Sequence, residues 1–337
     1  MVDDVTGARI GLGCVKLGSM AGGGERSGLR LVHQAYDLGV RVFDTADAYG
    51  SGASERVLGR ALRGRREHVV IATKGGYRFA ERGAAELAAR RLAAPVARRL
   101  RSGSGGGGDG GGGATAAGRS YTDKDFSVAY LRGAVTASLR RLGTDHIDLY
   151  QLHGAPVAVA TDELRSLMSQ LVAGGTIGGF GVALESLDDA AAWLEVPGLA
   201  SVQLPFGILD PEAGAHLVDD AAGRRVRVIA RGIFAAGLLE ADDATAERQL
   251  RPAQIPLRAR LRDAAAHHGV APLALAAWYV TGRPGIDTAL IGMSSSRHLR
   301  ANLAHLGAER PPEGLVDEVG AALADYASAV ATGRGTP

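Results

Sequence analysis

Asp44, Tyr49, Lys74 and His153 are of types that together can move a proton to or from a reacting oxygen. A free tyrosine, with a pKa near 10, is a poor proton exchanger at neutral pH. A neighbouring ammonium lowers its proton affinity, and a carboxylate beside the ammonium holds that cation in place. In this reading Asp44 holds Lys74, Lys74 lowers the proton affinity of Tyr49, and Tyr49 protonates a developing alkoxide. His153 orients a carbonyl or assists the proton transfer. Such chemistry needs an external hydride donor. Composition also singles out Lys74: of 38 Lys and Arg residues, only Lys16, Lys74 and Lys124 are lysines. Arginine carries a bulkier, delocalised cation and does not readily replace a compact ammonium in a buried site. The plainer alternative is an Asp44–Lys74 pair that closes the rim of the fold without chemistry.

These residues must be positioned by strands. Short apolar runs at Arg41–Ala46, Val69–Thr73, Ile147–Leu152, Thr176–Val182, Ala200–Gln203, Val226–Ala230 and Thr288–Ile291, with an eighth around Gly11–Lys16, read as β-strands. Between them, apolar residues recur every three or four positions, which predicts helices at Gly28–Leu38, Ser54–Leu62, Ser127–Leu142, Asp162–Ala173, Ser186–Glu195, Ala213–Ala222, Leu257–His268 and Ser296–His305. Ser54 is expected to cap its helix, which ends before Gly64. Asp162 marks the start of another, which Gly174-Gly175 stops. Eight such units predict a single α/β domain over residues 1–337, a (β/α)8 TIM barrel, with an open doubly wound sheet as the topological alternative. Residues Pro312–Ala331 add a C-terminal helix, expected over a barrel edge or the mouth. Asp44 and Tyr49 then straddle the end of the second strand, Lys74 ends the third and His153 the fourth, which is where barrels of this kind assemble sites.

The 46% hydrophobic content and formal charge of +2 predict an ordinary soluble globular protein, with no nucleic-acid partner. Without a long apolar run or a basic leader, neither a membrane partner nor a targeting segment is expected. The single cysteine, Cys14, fits a reducing compartment and a packing role. The chain is therefore expected in the cytoplasm.

Glycine is in excess, at 49 residues, and ten of these lie in residues 103–118. The 101–120 tract offers almost no apolar side chain in return for ordering, so it predicts a flexible, disordered insertion after the third strand. It lacks the Lys-Ser/Thr pair of a phosphate loop. The Arg-rich 81–101 stretch before it reads as solvent-exposed and partly helical. Trp193 and Trp278 fall inside predicted helices as packing residues. His267-His268 reads as a surface helix end, since adjacent helical residues do not share a face, and no metal site is expected.

FDTADAYGSGASERVLGRAL (43–62), VIATK (70–74), SLRRLGTDHIDLYQLH (138–153) and IGMSSSRHLRANL (291–303) together resemble the aldo/keto reductase family in order and spacing. The resemblance extends over nearly the whole chain outside the glycine-rich insertion. It implies a (β/α)8 barrel that binds NADP(H), sometimes NAD(H), across its carboxyl face, with Asp44, Tyr49, Lys74 and His153 as the catalytic tetrad. It further implies Gln203 on the nicotinamide carboxamide, and Arg231 where many members use a ring-stacking tyrosine. Gly292, Ser294, Ser295, His298 and Asn302 would surround the adenosine phosphate and adenine. The chain departs from the family in Ala183-Leu184, where Ser-Asn commonly grips the carboxamide, and in lacking a basic residue at Ser294, for which Arg297 and Arg300 compensate.

The resulting expectation is an NADP(H)-favouring, NAD(H)-permitting oxidoreductase that interconverts a small carbonyl compound and its alcohol, as a monomer or weak homo-oligomer. Two alternatives use the same barrel: a cofactor-binding regulatory or interaction protein with weak turnover, and a lyase or isomerase.

Overall fold

The computed structural model describes residues 10–18, 23–79, 123–211, 214–292, 296–306 and 311–332. The 101–120 tract and the Arg-rich stretch before it lie outside these residues. Eight strands, β1 (Ile10–Gly13), β2 (Val42–Asp44), β3 (Val70–Gly75), β4 (Leu149–His153), β5 (Phe180–Ala183), β6 (Leu199–Pro205), β7 (Arg227–Arg231) and β8 (Ile286–Gly292), close a barrel in sequence order. Every pairing is parallel, including β1 with β8. The doubly wound alternative is thereby excluded. Apolar side chains such as Leu12, Phe43, Ile71, Val182, Val202 and Val228 are buried in the core, as parallel strands covered on both faces require.

The helices that follow β1 to β6 are α1 (Gly24–Asp37), α2 (Ala53–Ala61), α3 (Val128–Leu142), α4 (Asp162–Ala173), α5 (Ala190–Leu194) and α6 (Ala215–Gly223). Three more lie between β7 and β8: α7 (Asp243–Gln249), α8 (Gln254–His267) and α9 (Pro272–Thr281). α10 (Ser296–Leu306) and α11 (Glu313–Ala331) end the fold.

Several sequence expectations need correction. Ser54 does not cap α2. The N-cap is Gly52 at φ 82°, and Ser54 lies inside the helix, fully buried, where its hydroxyl donates to the Cys14 carbonyl at 2.9 Å. By contrast, α4 begins at Asp162 as expected, with Thr161 before it as the N-cap whose side chain accepts from Leu164 N. The expected helix at Ser186–Glu195 shrinks to five residues, because Ser186 Oγ accepts from Asp188 N and donates to its carboxylate, forming a turn instead.

The helix expected at Leu257–His268 is α8, but it does not belong to the barrel wall. That place before β8 is taken by α9, which the expected elements omit. α9 is apolar nearly all round and opens with Pro272, so it shows neither a polar face nor a capping side chain. α8 instead packs with the C-terminal helix: Leu257, Leu261, Ala264 and Ala265 share a second apolar cluster with Leu315, Val319, Ala322 and Tyr326. No helix among the described residues is long and apolar enough to cross a membrane.

Candidate active site

The strand register carries the polar residues to the carboxyl end of the barrel. Gly13 pairs with Asp44, Lys74 with Gln151, His153 with Ala183, and Ala183 with Gln203. Backbone bonds continue the ladder one step into the loops: Asp47 N donates to the Lys74 carbonyl, and Gly154 N to that of Ala183.

Lys74 and Asp44 meet inside this ring. Lys74 Nζ lies 2.5 Å from Asp44 Oδ2, with side-chain exposures of 1% and 6%, and also donates to the Thr45 carbonyl at 2.8 Å. The second carboxylate oxygen, Oδ1, accepts from Gln203 Nε2 at 2.8 Å and Gln151 Nε2 at 3.2 Å. Asp44 thus has three side-chain donors, which satisfies a charge that burial otherwise makes costly. Burial alone would push the ammonium toward its neutral form, but the Asp44 carboxylate outweighs it, helped by Tyr49, and the Lys74 pKa is raised.

Tyr49 stands over this pair, its ring centroid 5.3 Å from Lys74 Nζ. The chain reaches it through three successive left-handed residues, Gly50 (φ 61°), Ser51 (φ 53°) and Gly52 (φ 82°), which turn the backbone back so that Ser54 N bonds the Tyr49 carbonyl. Glycine tolerates that conformation, and Ser51 bears it as a non-glycine residue. Lys74 lowers the proton affinity of Tyr49, as expected, but burial acts in the opposite direction. Burial raises the phenol pKa by more than Lys74 lowers it, so the Tyr49 value is raised.

The His153 ring meets Tyr49 edge-on, with centroids 5.8 Å apart, and meets Tyr77 edge-on at 4.8 Å. Burial holds the imidazole pKa well below its ordinary value, and Lys74, Lys124 and Arg231 press the same way. Its Nδ1 is buried without a hydrogen-bond partner in the protein. His153 is therefore a neutral ring at the mouth with hydrogen-bonding capacity in reserve. The four residues expected to act together do converge.

Other expected residues are placed as follows. Gln203 is buried on Asp44. Arg231, at the end of β7, donates to the Leu184 carbonyl at 2.7 Å, beside the buried Ala183-Leu184 pair. Gly292 ends β8, and α10 carries His298 and Arg300, both exposed, and half-buried Asn302. Ser294, Ser295 and the side chain of Arg297 lie outside the described residues. Cys14 is buried and its thiol donates to the Leu12 carbonyl at 3.5 Å, consistent with packing. Trp193 is fully buried, donating to the Ala155 carbonyl at 3.0 Å, and Trp278 is half-buried.

Sequence reading missed three features of the mouth. Gln151 lies two residues before His153 on β4, and a strand period of two already aims both inward. Lys124, between β3 and α3, bridges to Tyr77 through the backbone and donates to the Gly154 carbonyl at 2.8 Å and to Glu185 Oε2 at 2.7 Å. Glu185 also accepts from the Tyr77 hydroxyl. Tyr77, Lys124 and Glu185 thereby tie the loops after β3, β4 and β5 together around His153. Their only sequence signal was the scarcity of lysine. Beneath the site, a second buried ion pair joins α2 to α3: Arg141 Nε lies 2.5 Å from Glu55 Oε2, while Glu55 Oε1 accepts from Thr73 at 2.6 Å.

The residues fit a nicotinamide cofactor in part. The planar Arg231 guanidinium offers a stacking face and the orphaned His153 Nδ1 an unused polar atom, whereas the Gln203 amide nitrogen is already given to Asp44 and the Ala183 and Leu184 side chains offer no hydrogen bond.

Comparison with known proteins follows the same lines. The aldo/keto reductase family model matches residues 9–313. An uncharacterized oxidoreductase, YqkF of Bacillus subtilis, is 27% identical over 322 residues, covering 92% of this chain and 90% of the relative. The NADH-specific methylglyoxal reductase of Escherichia coli is 28% identical over 218 residues, covering 61% and 57%. Among solved structures, the holo form of the aldo-keto reductase AKR11C1 from Bacillus halodurans superposes with a TM-score of 0.71 at 24% identity, covering 93% of this chain and 91% of that one. An aldo/keto reductase from Klebsiella pneumoniae, in complex with NADP and acetate, gives 0.61 at 22%, covering 92% and 89%.

Proposed function

The chain belongs to the aldo/keto reductase family, and from that membership together with the geometry of the mouth we propose that it interconverts an aldehyde or ketone with its alcohol by direct hydride transfer, using Tyr49 as the acid in reduction and the base in oxidation. One observation carries the proposal. A buried Lys74–Asp44 pair lies beneath the Tyr49 ring, with neutral His153 edge-on to it.

A bound nicotinamide cofactor supplies or accepts the hydride. The protein's own part is proton placement. Tyr49 keeps its proton in the free enzyme, because burial raises its pKa. As charge develops on a substrate oxygen beside it, Lys74 stabilises the phenolate left behind. Asp44 keeps Lys74 charged and fixed, and Gln151 and Gln203 keep Asp44 from turning away. His153, held neutral by its burial, orients the carbonyl by a hydrogen bond from its ring.

Gln203, Arg231, Gly292, Ser294, Ser295, His298 and Asn302 would hold the cofactor. NADP(H) is favoured over NAD(H) on the strength of His298 and Arg300, exposed at the start of α10 where a helix amino terminus also attracts phosphate. Relatives and neighbours divide on this point, one being NADH-specific and one complexed with NADP. The substrate is a small carbonyl compound or alcohol.

The second reading, a cofactor-binding protein with weak turnover, draws on the apolar Ala183-Leu184 pair. A panel of aldehydes and ketones assayed for NADPH and NADH oxidation, with wild type and Tyr49→Phe, separates the two. Turnover lost in the variant supports the enzyme, and cofactor binding with no turnover across the panel supports the alternative.

A further inference from the structure

We propose that His267, His268 and Glu318 form a binding site for a borderline divalent transition-metal cation of the Zn2+ type, joining the end of α8 to α11. None of the three belongs to the cluster around Lys74.

Adjacent residues in a continuous helix point about 100° apart, which is why the pair reads as unable to share a ligand. Here the helix does not continue. His267 is the last residue of α8, His268 is its C-cap at φ −94° and ψ 5°, and Gly269 follows in the left-handed region at φ 66°. The turn brings the two rings to a centroid separation of 4.7 Å, both facing one carboxylate oxygen. His267 Nδ1 lies 2.9 Å and His268 Nε2 3.3 Å from Glu318 Oε1, and the three ligand atoms all lie within 4.8 Å of one another.

The two distances to Glu318 Oε1 are close to the spacing of ligands around a metal ion. Ligands bound tetrahedrally at about 2.0–2.1 Å stand roughly 3.3 Å from one another. Small side-chain shifts therefore suffice to admit an ion. Two imidazole nitrogens and one carboxylate, with water completing the shell, suit Zn2+, whereas Mg2+ and Ca2+ prefer all-oxygen ligands.

The surroundings make room for this arrangement. Gly314 precedes Glu318 by one turn of α11, and a Cβ there would stand 3.0 Å from His268 Cε1, so the missing side chain leaves space for the ring beside the carboxylate. Asp263, one turn before His267, lines the same cleft and adds a second carboxylate at its edge. Arg260, the nearby cation in that cleft, is bonded to Asp325. An ion held here pins α11 to α8 at the end of the apolar cluster that Leu315 and Val319 share with Leu261.

The test uses the full, tag-free chain, stripped with a chelator and titrated with ZnCl2 by calorimetry, with MgCl2 in parallel. One Zn2+ per chain is expected, with a thermal midpoint raised by several degrees at saturating metal and no response to Mg2+. Both zinc effects should disappear in His268→Ala and in Glu318→Gln and persist in His305→Ala, each variant checked for wild-type circular dichroism. Absence of saturable zinc binding in the wild-type chain, or binding of equal strength in folded His268→Ala and Glu318→Gln, would overturn the assignment.

Discussion

Lys74 Nζ lies 2.5 Å from Asp44 Oδ2 at the carboxyl end of the barrel, and it is this buried contact that holds a cation beneath the Tyr49 ring. Removing one partner strands the other. Lys74→Met should cost about 3–5 kcal/mol by leaving Asp44 as an unpaired buried charge. A urea-denaturation series should show this loss, and the double variant Asp44→Asn/Lys74→Met should recover a large part of it. Equal losses in the single and double variants would mean that the pair is not what stabilises this end of the barrel.

His153 is held neutral in the fold, with burial pushing its pKa well below the ordinary value of 6.5. The unfolded chain then binds more protons than the folded one in acid, so stability from this group is present above about pH 6.5 and is lost as pH falls toward the folded value. His153→Gln should flatten the unfolding free energy between pH 5 and 6.5 relative to wild type. An unchanged slope contradicts the buried, neutral ring.

Asp47 gives the opposite sign. Burial, and then Glu55, raise its carboxyl pKa well above 3.8, and its Oδ1 has no hydrogen-bond partner. A carboxyl that the fold prefers protonated favours folding below about pH 3.8 and loses that advantage as pH rises through its folded value. Asp47→Asn should therefore gain stability over wild type at pH 7 and lose that gain by pH 4. Thermal melts at the two pH values read the difference.

The Lys124–Glu185 pair is partly exposed, at 30% and 53%, so it should contribute little to stability, on the order of 1 kcal/mol or less. Its place is at the mouth, where Lys124 also bonds the carbonyl next to His153. Lys124→Met should raise KM severalfold while changing kcat by less than about threefold, since binding loops shift and the proton-transfer group does not. A collapse of kcat with unchanged KM would assign Lys124 to the chemistry instead.

The barrel and the convergence of the four candidate residues were legible because Asp44 ends β2, Lys74 lies one residue from the end of β3 and His153 ends β4, and apolar runs that reach a polar residue, as in VVIATK and DLYQLH, are sharp local signals, whereas Tyr49 lies in the loop past β2. Ser54 was misread because a serine before an apolar run looks like a cap, whereas the cap is a left-handed Gly52 that leaves no side-chain signature. α9 was missed because a helix buried on several sides loses the periodicity that marks one. The Tyr77–Lys124–Glu185 tie joins residues 47 and 61 positions apart, and the raised Tyr49 pKa depends on burial. Neither is encoded in local pattern.

The proposed reaction delivers hydride to a carbonyl carbon while Tyr49 supplies the proton. Its most direct test is turnover of a reactive aldehyde or ketone with NADPH deuterated at C4 of the nicotinamide, comparing wild type with Tyr49→Phe. Deuterium at the carbinol carbon in wild type, with turnover reduced by about 10²-fold or more in a variant that still binds cofactor, is the predicted result. Product without deuterium, or a Tyr49→Phe variant as active as wild type, would contradict it.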